Sequence, residues 1–250
     1  MGAVQRAGLQ YGLQFNWRKI EVLTVGVDAC LSKPDGSPVP QRESMVYLGS
    51  AISDDGKIGS ELSRRLGAAR AEFDKLTKVW NHSTLTQQRN IIIFESCVVS
   101  RLSYCLHAAF LNKQENRRLV AFQARCLRKI LRIPHSYISR VPNAVVLQRS
   151  GARLLSNSLL RKQLTFLGHV ARKRGDDAVR LTVFQPFSHL LAEPPENRKR
   201  GRPRKTWPQE IYRHACAAAG GVEALPALLR NTAQSATAWL SAVHTYCDAV

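Results

Sequence analysis

Between Asn112 and Pro134 the sequence admits one regular conformation. Leu119, Phe122, Cys126, Leu127, Ile130 and Leu131 recur at three- and four-residue steps, and Arg117, Arg118, Arg125, Arg128, Lys129 and Arg132 fill the steps between. That period belongs to an α-helix with one apolar stripe and one charged face. Asn112-Lys113-Gln114-Glu115 reads as a capping box, in which the Asn side chain accepts from first-turn amides and Glu115 reaches back. Pro134 ends the run, having no amide hydrogen to donate. The stripe must be covered, so neighbouring segments have to bring apolar faces of their own.

They have the pattern to do so. A helix is expected after Ser60, a good N-cap, with Leu62, Leu66, Ala69, Phe73, Leu76 and Trp80 on one face and Arg64, Arg65, Arg70, Lys75 and Lys78 on the other. Thr86 to Leu111 predicts a second, more apolar helix through Ile92, Phe94, Val98, Leu102 and Cys105 or Leu106. Val141 to Gly151 reads as a short helix opened by Pro142 and closed by Gly151, and Arg153 to Arg174 as a long one carrying Leu155, Leu159, Leu160, Leu164, Leu167 and Val170. Within it Gly168 should allow close helix packing. His169 has no acidic or cysteine partner nearby in sequence, and reads as a hydrogen-bonded structural histidine. Trp207-Pro208 starts a helix through Ala219, stopped by Gly220-Gly221, and Val222 to Leu229 and Ala233 to Cys247 form two more, the last with Trp239, Val243 and Tyr246 on one side.

Only the N-terminal quarter reads as β. Gly12 stops a short helix end, and Glu21 to Val25 has strand composition. Lys33-Pro34-Asp35-Gly36 turns a hairpin-like excursion over Val27 to Arg42. Val46, Leu48 and Ile52 form a short strand that pairs back on it. Ser53-Asp54-Asp55-Gly56 then makes a tight turn. Two adjacent aspartates near a tyrosine suggest a two-metal site, but Tyr47 is distant and Gly56 follows at once, so the pair reads as a solvated turn. The fold class expected is mainly α, with a small β-hairpin or α+β piece at the N-terminus followed by helical regions.

Charge narrows the partners. Lys and Arg number 37 against 18 Asp and Glu, a formal net charge of +19, which suits a protein that neutralises a polyanion. No apolar run approaches the ~20 residues of a spanning helix, so no membrane partner is expected. The six cysteines are scattered with no Cys-x-x-Cys pair, and Cys97, Cys105 and Cys126 read as small, reduced core residues of an intracellular protein. Few acids interleave with the arginines of the 112–134 helix, which favours phosphate contact by guanidinium forks. Pro186 to Pro208 has the composition of a basic, proline-rich linker. Its Arg200-Gly201-Arg202-Pro203 is the core of an AT-hook, in which both arginines reach along a narrow groove floor, and such basic runs serve equally as nuclear localisation signals or as nonspecific phosphate tethers.

Several of these segments, in order, resemble the region just past the catalytic core of non-LTR (LINE-type) retrotransposon reverse transcriptases. Gly12-Leu13-Gln14-Phe15-Asn16-Trp17-Arg18-Lys19-Ile20-Glu21-Val22-Leu23 is similar to that family's Gly-Leu-x-x-Asn-x-x-Lys-Thr-x-x-Leu, with Ile20 in place of Thr. Tyr47-Leu48-Gly49 resembles the primer-grip end of its palm, and Ile52 to Gly56 the lead into its thumb. Leu164 to Val170 is similar to Leu-x-Trp-x-Gly-His-Val, and Arg200 to Trp207 to Arg-Gly-Arg-Pro…Trp. Ala236-Thr237-Ala238-Trp239 keeps the tryptophan of the family's Arg-x-x-Trp and lacks the arginine.

The resemblance implies a palm remnant over 1–55, a helical thumb-like domain over 56–135, a second helical segment over 136–185, the linker over 186–209 and a helical tail over 210–250. It implies a protein that binds template-primer, as RNA–DNA hybrid or duplex DNA; with the basic faces and basic run read above, the expected contacts of this intracellular, nuclear protein are Lys19, Tyr47, Gly49, Arg64, Arg65, Arg70, Arg118, Arg125, Arg128, Lys129, Arg200, Arg202, Arg204 and Lys205. Lys19 matches a lysine near the family's nucleotide-binding end; from its neighbours alone it is a surface lysine on a turn. The family's Phe/Tyr-x-Asp-Asp strand lies before the segment that Gly12 to Leu23 matches. The chain is therefore expected to start too late for catalytic or metal-binding residues and to be inactive alone, with magnesium needed only by a complete polymerase and the palm and fingers of the same polyprotein as a further partner. Two alternatives stand beside this: a non-enzymatic DNA- or chromatin-binding protein using the Arg-Gly-Arg-Pro hook, and a reading frame left by a decayed element.

Overall fold

The computed structural model describes residues 2–27, 29–82, 84–193 and 205–249. The chain divides into two compact units, Met1–Ser63 and Arg64–Val250, and is mainly helical.

The first unit holds α1 (Gly2–Leu9), β1 (Ser44–Tyr47) and β2 (Ser50–Ser53). β1 and β2 pair antiparallel in the register Ser44↔Ser53, Met45↔Ile52, Val46↔Ala51 and Tyr47↔Ser50. The strand expected through Val46, Leu48 and Ile52 thus folds back on itself. Leu48 and Gly49 take φ of 47° and 77°, the two positive values that a two-residue hairpin turn needs to match the twist of its strands. Glycine adopts this readily and leucine does not, which is why Leu48 reads as strand in the sequence.

The expected strand over Glu21 to Val25 reduces to one parallel bridge, Val22 to Gln41. Its partner segment contains Pro38 and Pro40, which have no amide to extend a ladder, and Gly26 at φ 72° turns the chain away. The Pro-Asp-Gly turn does form: the Gly36 amide donates to Lys33 O at 3.0 Å, and the Asp35 carboxylate accepts from the Ser37 hydroxyl at 2.7 Å and amide at 2.9 Å. At the second turn Asp55 accepts from the Ser53 hydroxyl and from the amide and ammonium of Lys57. These bonds, the Lys57 ammonium first, hold its carboxyl far below the usual range. The buried carboxylate of Glu61 accepts from the Ala51 amide at 2.8 Å, tying β2 to the helix that follows.

That helix is α2 (Gly59–Lys75). Ser60 lies inside its first turn rather than capping it. α2 ends at Lys75, and Trp80 belongs to a separate short helix, α3 (Thr77–Asn81). The chain is folded back so that the Trp80 indole donates to Phe73 O at 2.8 Å and stacks on the Phe73 ring at 5.0 Å.

The single helix expected over Thr86 to Leu111 is broken. α4 (Gln87–Ile93), capped by Thr86, runs into a π-helical turn (Phe94–Val99) and then α5 (Ser100–Ser103). Cys105 at φ 61° then reverses the chain into a 3₁₀ turn (Leu106–Ala108). Phe94, Val98 and Leu102 are fully buried, but Ile92 is 65% exposed. It stands two positions before Phe94, and residues two apart do not share a helix face; Ile91, three before, is the buried one.

α6 (Lys113–Ile130) has the full capping box of Asn112 and Glu115. α7 (Ser136–Ser139), α8 (Asn143–Ser150, closed by Gly151 at φ 64°) and α9 (Leu155–Ala171) follow. Beyond them come α10 (Ala178–Leu181), α11 (Trp207–Ala219), α12 (Leu225–Leu228) and α13 (Ala233–Ala249). Leu164, Leu167 and Val170 of α9 share one core with Phe184, Ile211, Ala215, Leu225, Trp239 and Val243. Gly168 sits where α9 meets α13, and a Cβ there would lie 2.5 Å from Trp239 Nε1. His169, by contrast, is exposed and its side chain makes no hydrogen bond among the described residues, so it is not the structural histidine expected. Of the cysteines only Cys126 and Cys247 are buried; Cys97, expected in the core, and Cys30 are exposed. Among the described residues no helix is long and apolar enough to cross a membrane.

Candidate nucleic-acid interface

A groove of about 490 Å³ runs between α2 and α6 and is also lined by Ile133, Pro134 and His135. Helical spacing builds it. Arg70, Phe73 and Asp74 come from one face of α2, and Phe122, Arg125, Cys126 and Lys129 from one face of α6, each set stepping by three or four residues. Phe73, Phe122 and Cys126 are buried and form an apolar floor, while Arg70, Arg125 and Lys129 are exposed along the rim. The Lys129 ammonium lies 5.5 Å from the centre of the Phe73 ring and 4.0 Å from the Asp74 carboxylate. Among the described residues Asp74 is the one acid lining the groove.

The Cys126 thiol at the bottom records both influences. Burial pushes its pKa up to about 12, against the pull of Arg125, Lys129 and Arg70. The thiol stays protonated, and three cations converge on its surroundings. Past the end of α6 the His135 ring stacks on Tyr137, with centres 5.8 Å apart and planes 6° from parallel. Tyr137 is 72% exposed. An apolar floor, a basic rim and an exposed aromatic pair are the parts from which single strands and duplex backbones are gripped.

Among the residues expected from sequence, the groove gathers Arg70, Arg125 and Lys129. Arg128 lines it too, but its guanidinium is not offered outward. It is 5% exposed and donates to Pro134 O at 3.0 Å, to Val141 O, to Asn143 Oδ1 at 2.9 Å and weakly to the Ser139 hydroxyl. A buried guanidinium with these acceptors is a structural tie, so the phosphate role expected of Arg128 is corrected. Arg65 is corrected likewise: it is 8% exposed, with its guanidinium 4.5 Å above the Tyr104 ring. Leu66 and Ala69 set the buried face of α2, and Arg65 lies near enough to its edge to be covered. Arg64 and Arg118 are exposed, and each already interacts within the protein.

Lys19, Tyr47 and Gly49 belong to the first unit. Lys19 is exposed on a turn whose amide donates to Asn16 O at 2.9 Å, and Tyr47 and Gly49 stand at the tip of the hairpin. Arg200, Arg202 and Arg204 lie outside the described residues. Lys205 pairs with Glu210 at 3.2 Å. Sequence reasoning missed the His135–Tyr137 pair, although aromatic residues directly after the proline that ends a basic helix are a readable signal. Among the described residues no cluster of three or more His, Cys, Asp or Glu could hold a metal ion.

Comparison with protein-family models, with curated proteins and with solved structures returns no significant match.

Proposed function

We propose that this chain grips template-primer nucleic acid through the α2–α6 groove, as a thumb-like part of a LINE-type reverse transcriptase. The observation that carries the reading is the convergence of Arg70, Arg125 and Lys129 over an apolar floor beside an exposed aromatic pair. Cations along the rim neutralise backbone phosphates, and the His135–Tyr137 pair offers a face on which an end base stacks. The ordered sequence resemblance supports an RNA–DNA hybrid or duplex DNA as the partner, and the basic run before Trp207 supports a nuclear setting.

Titration of the purified chain against an RNA–DNA hybrid, A·T-rich duplex and random duplex over a range of salt tests this. Each phosphate neutralised on duplex contributes roughly −0.9 to the slope of log K against log salt. The triple variant Arg70→Ala, Arg125→Ala, Lys129→Ala should therefore flatten the slope by about 2 to 3. An unchanged slope overturns the groove as the interface. Preference for A·T-rich duplex would move the contact to the Arg-Gly-Arg-Pro hook. By itself the chain is expected to extend no primer in the presence of magnesium; extension that a chelator abolishes overturns that part.

A further inference from the structure

A second cleft, separate from the groove, runs along the outer face of α9. Ser158, Arg161, Lys162, Thr165 and His169 line it at helical spacing, Phe166 forms part of its base, and His107 of the 3₁₀ turn stands opposite. It measures about 470 Å³, and among the described residues no carboxylate lines it.

Among the described residues its two central cations, Arg161 and Lys162, have no carboxylate partner. The Lys162 ammonium donates to the buried hydroxyl of Ser103 at 2.6 Å and has no ion pair among the described residues. An ammonium has three hydrogens to donate, so two remain for a ligand. The Arg161 guanidinium meets the His244 ring and no carboxylate among the described residues. Only Arg153, at the edge, meets an acid, Asp248 at 3.1 Å. The hydroxyls of Ser158 and Thr165 carry no hydrogen bond among the described residues. Partial burial lowers the pKa of Lys162, and burial together with the Lys162 charge lowers that of His107. The His107 and Trp207 rings each meet Phe166 edge to face, at 5.0 and 5.8 Å, which fixes the apolar end of the cleft.

We propose that this cleft is a binding pocket for a phosphate monoester, with Lys162 and Arg161 holding the phosphoryl oxygens and Phe166 facing the esterified group. A monoester carries close to two negative charges and three terminal oxygens, which two uncompensated cations and two free hydroxyls complement. A backbone diester offers one charge and two oxygens. The chemistry fits a free mononucleotide or the 5′-phosphate end of a nucleic acid. None of the groove residues takes part, so the pocket does not depend on the function proposed above.

The experiment is calorimetric titration of the full chain with inorganic phosphate, with adenosine 5′-monophosphate, and with one single-stranded oligonucleotide prepared with a 5′-phosphate or a 5′-hydroxyl. Saturable binding of the nucleotide is expected, weakened about tenfold by Lys162→Met, the effect of losing one charge-assisted hydrogen bond. The groove triple variant should leave it intact. A roughly tenfold advantage of the phosphorylated oligonucleotide over its hydroxyl twin, lost in Lys162→Met, identifies a nucleic-acid end as the source. Saturation by the nucleotide without that advantage identifies a free mononucleotide. Arg161→Gln, with a neutral side chain of the same polarity, repeats the test should Lys162→Met melt early. The proposal is overturned if no phosphate-bearing probe saturates, or if the folded variants bind as the parent does.

Discussion

Replacing Gly168 by alanine sets two opposed effects against each other at one atom. In an exposed helix the change would stabilise by about 1 kcal/mol through helix propensity. Here the new Cβ would fall 2.5 Å from Trp239 Nε1, 2.6 Å from Trp239 Cδ1 and 2.9 Å from Arg172 Nη1. The arginine can swing aside. The indole cannot, because Trp239 is 1% exposed and its Nε1 donates to Leu164 O at 3.1 Å. Overpacking of a dense core costs about 1–3 kcal/mol, and separating a buried donor from its acceptor costs about 1–3 kcal/mol more. After the propensity gain is subtracted the expected loss is ~3 kcal/mol. For a unit of this size that is a fall in Tm of roughly 6–12 °C. Urea titration followed by tryptophan fluorescence measures it. The cycle with Trp239→Phe isolates the cause, since the smaller ring makes room and should reduce the penalty of Gly168→Ala by at least ~1 kcal/mol. A variant as stable as the parent, or a penalty equal in both backgrounds, would refute the close-approach account.

The two arginines that flank Cys126 should separate cleanly. Arg128→Ala takes the donor from Pro134 O, Val141 O and Asn143 Oδ1 and is expected to destabilise by about 1–3 kcal/mol, whereas exposed Arg125→Ala should stay within about 0.5 kcal/mol; denaturant titration of both decides. Cys30 and Cys97 are exposed and should react with a thiol reagent at pH 8, while Cys126, whose pKa burial raises to about 12, should stay unlabelled until the protein unfolds; fast labelling of Cys126 in the native state, read by mass spectrometry, contradicts the groove floor. Leu48→Asn puts the preferred Asn-Gly pair into the hairpin turn and should stabilise it by about 0.5–1 kcal/mol, visible as slower amide exchange over 44–53; faster exchange would argue against positive φ at Leu48.

Long, strictly periodic segments were legible. α6 and its capping box, the buried face of α9 and the glycine-stopped α11 all follow from three- and four-residue spacing and end signals, because each is set by local chemistry. The close packing at Gly168 was legible as a need, though its partner Trp239 lies on a distant helix that spacing cannot reveal. What the sequence hid were reversals at residues that do not look like turn formers. Leu48 and Cys105 hold positive φ because their surroundings enforce it, and the π-helical turn after Ile93 has no sequence signal. The site divides the same way. Arg70, Arg125 and Lys129 could be picked from the basic faces, but Arg65 and Arg128 look identical to them in sequence. Whether a guanidinium meets solvent or a buried carbonyl depends on what the following loop places over it.

Arg128 also has a kinetic consequence. Its guanidinium joins the last turns of α6 to Pro134, Ser139, Val141 and Asn143, the strap on which His135 and Tyr137 are mounted. A surface loop of this length would ordinarily open many times before its helix does. Tied through a buried cation, the strap can open only when α6 yields the side chain, so the two exchange as one cooperative unit. The aromatic pair thereby shares the lifetime of the helix beneath it, and a ligand that stacks there meets a surface already ordered.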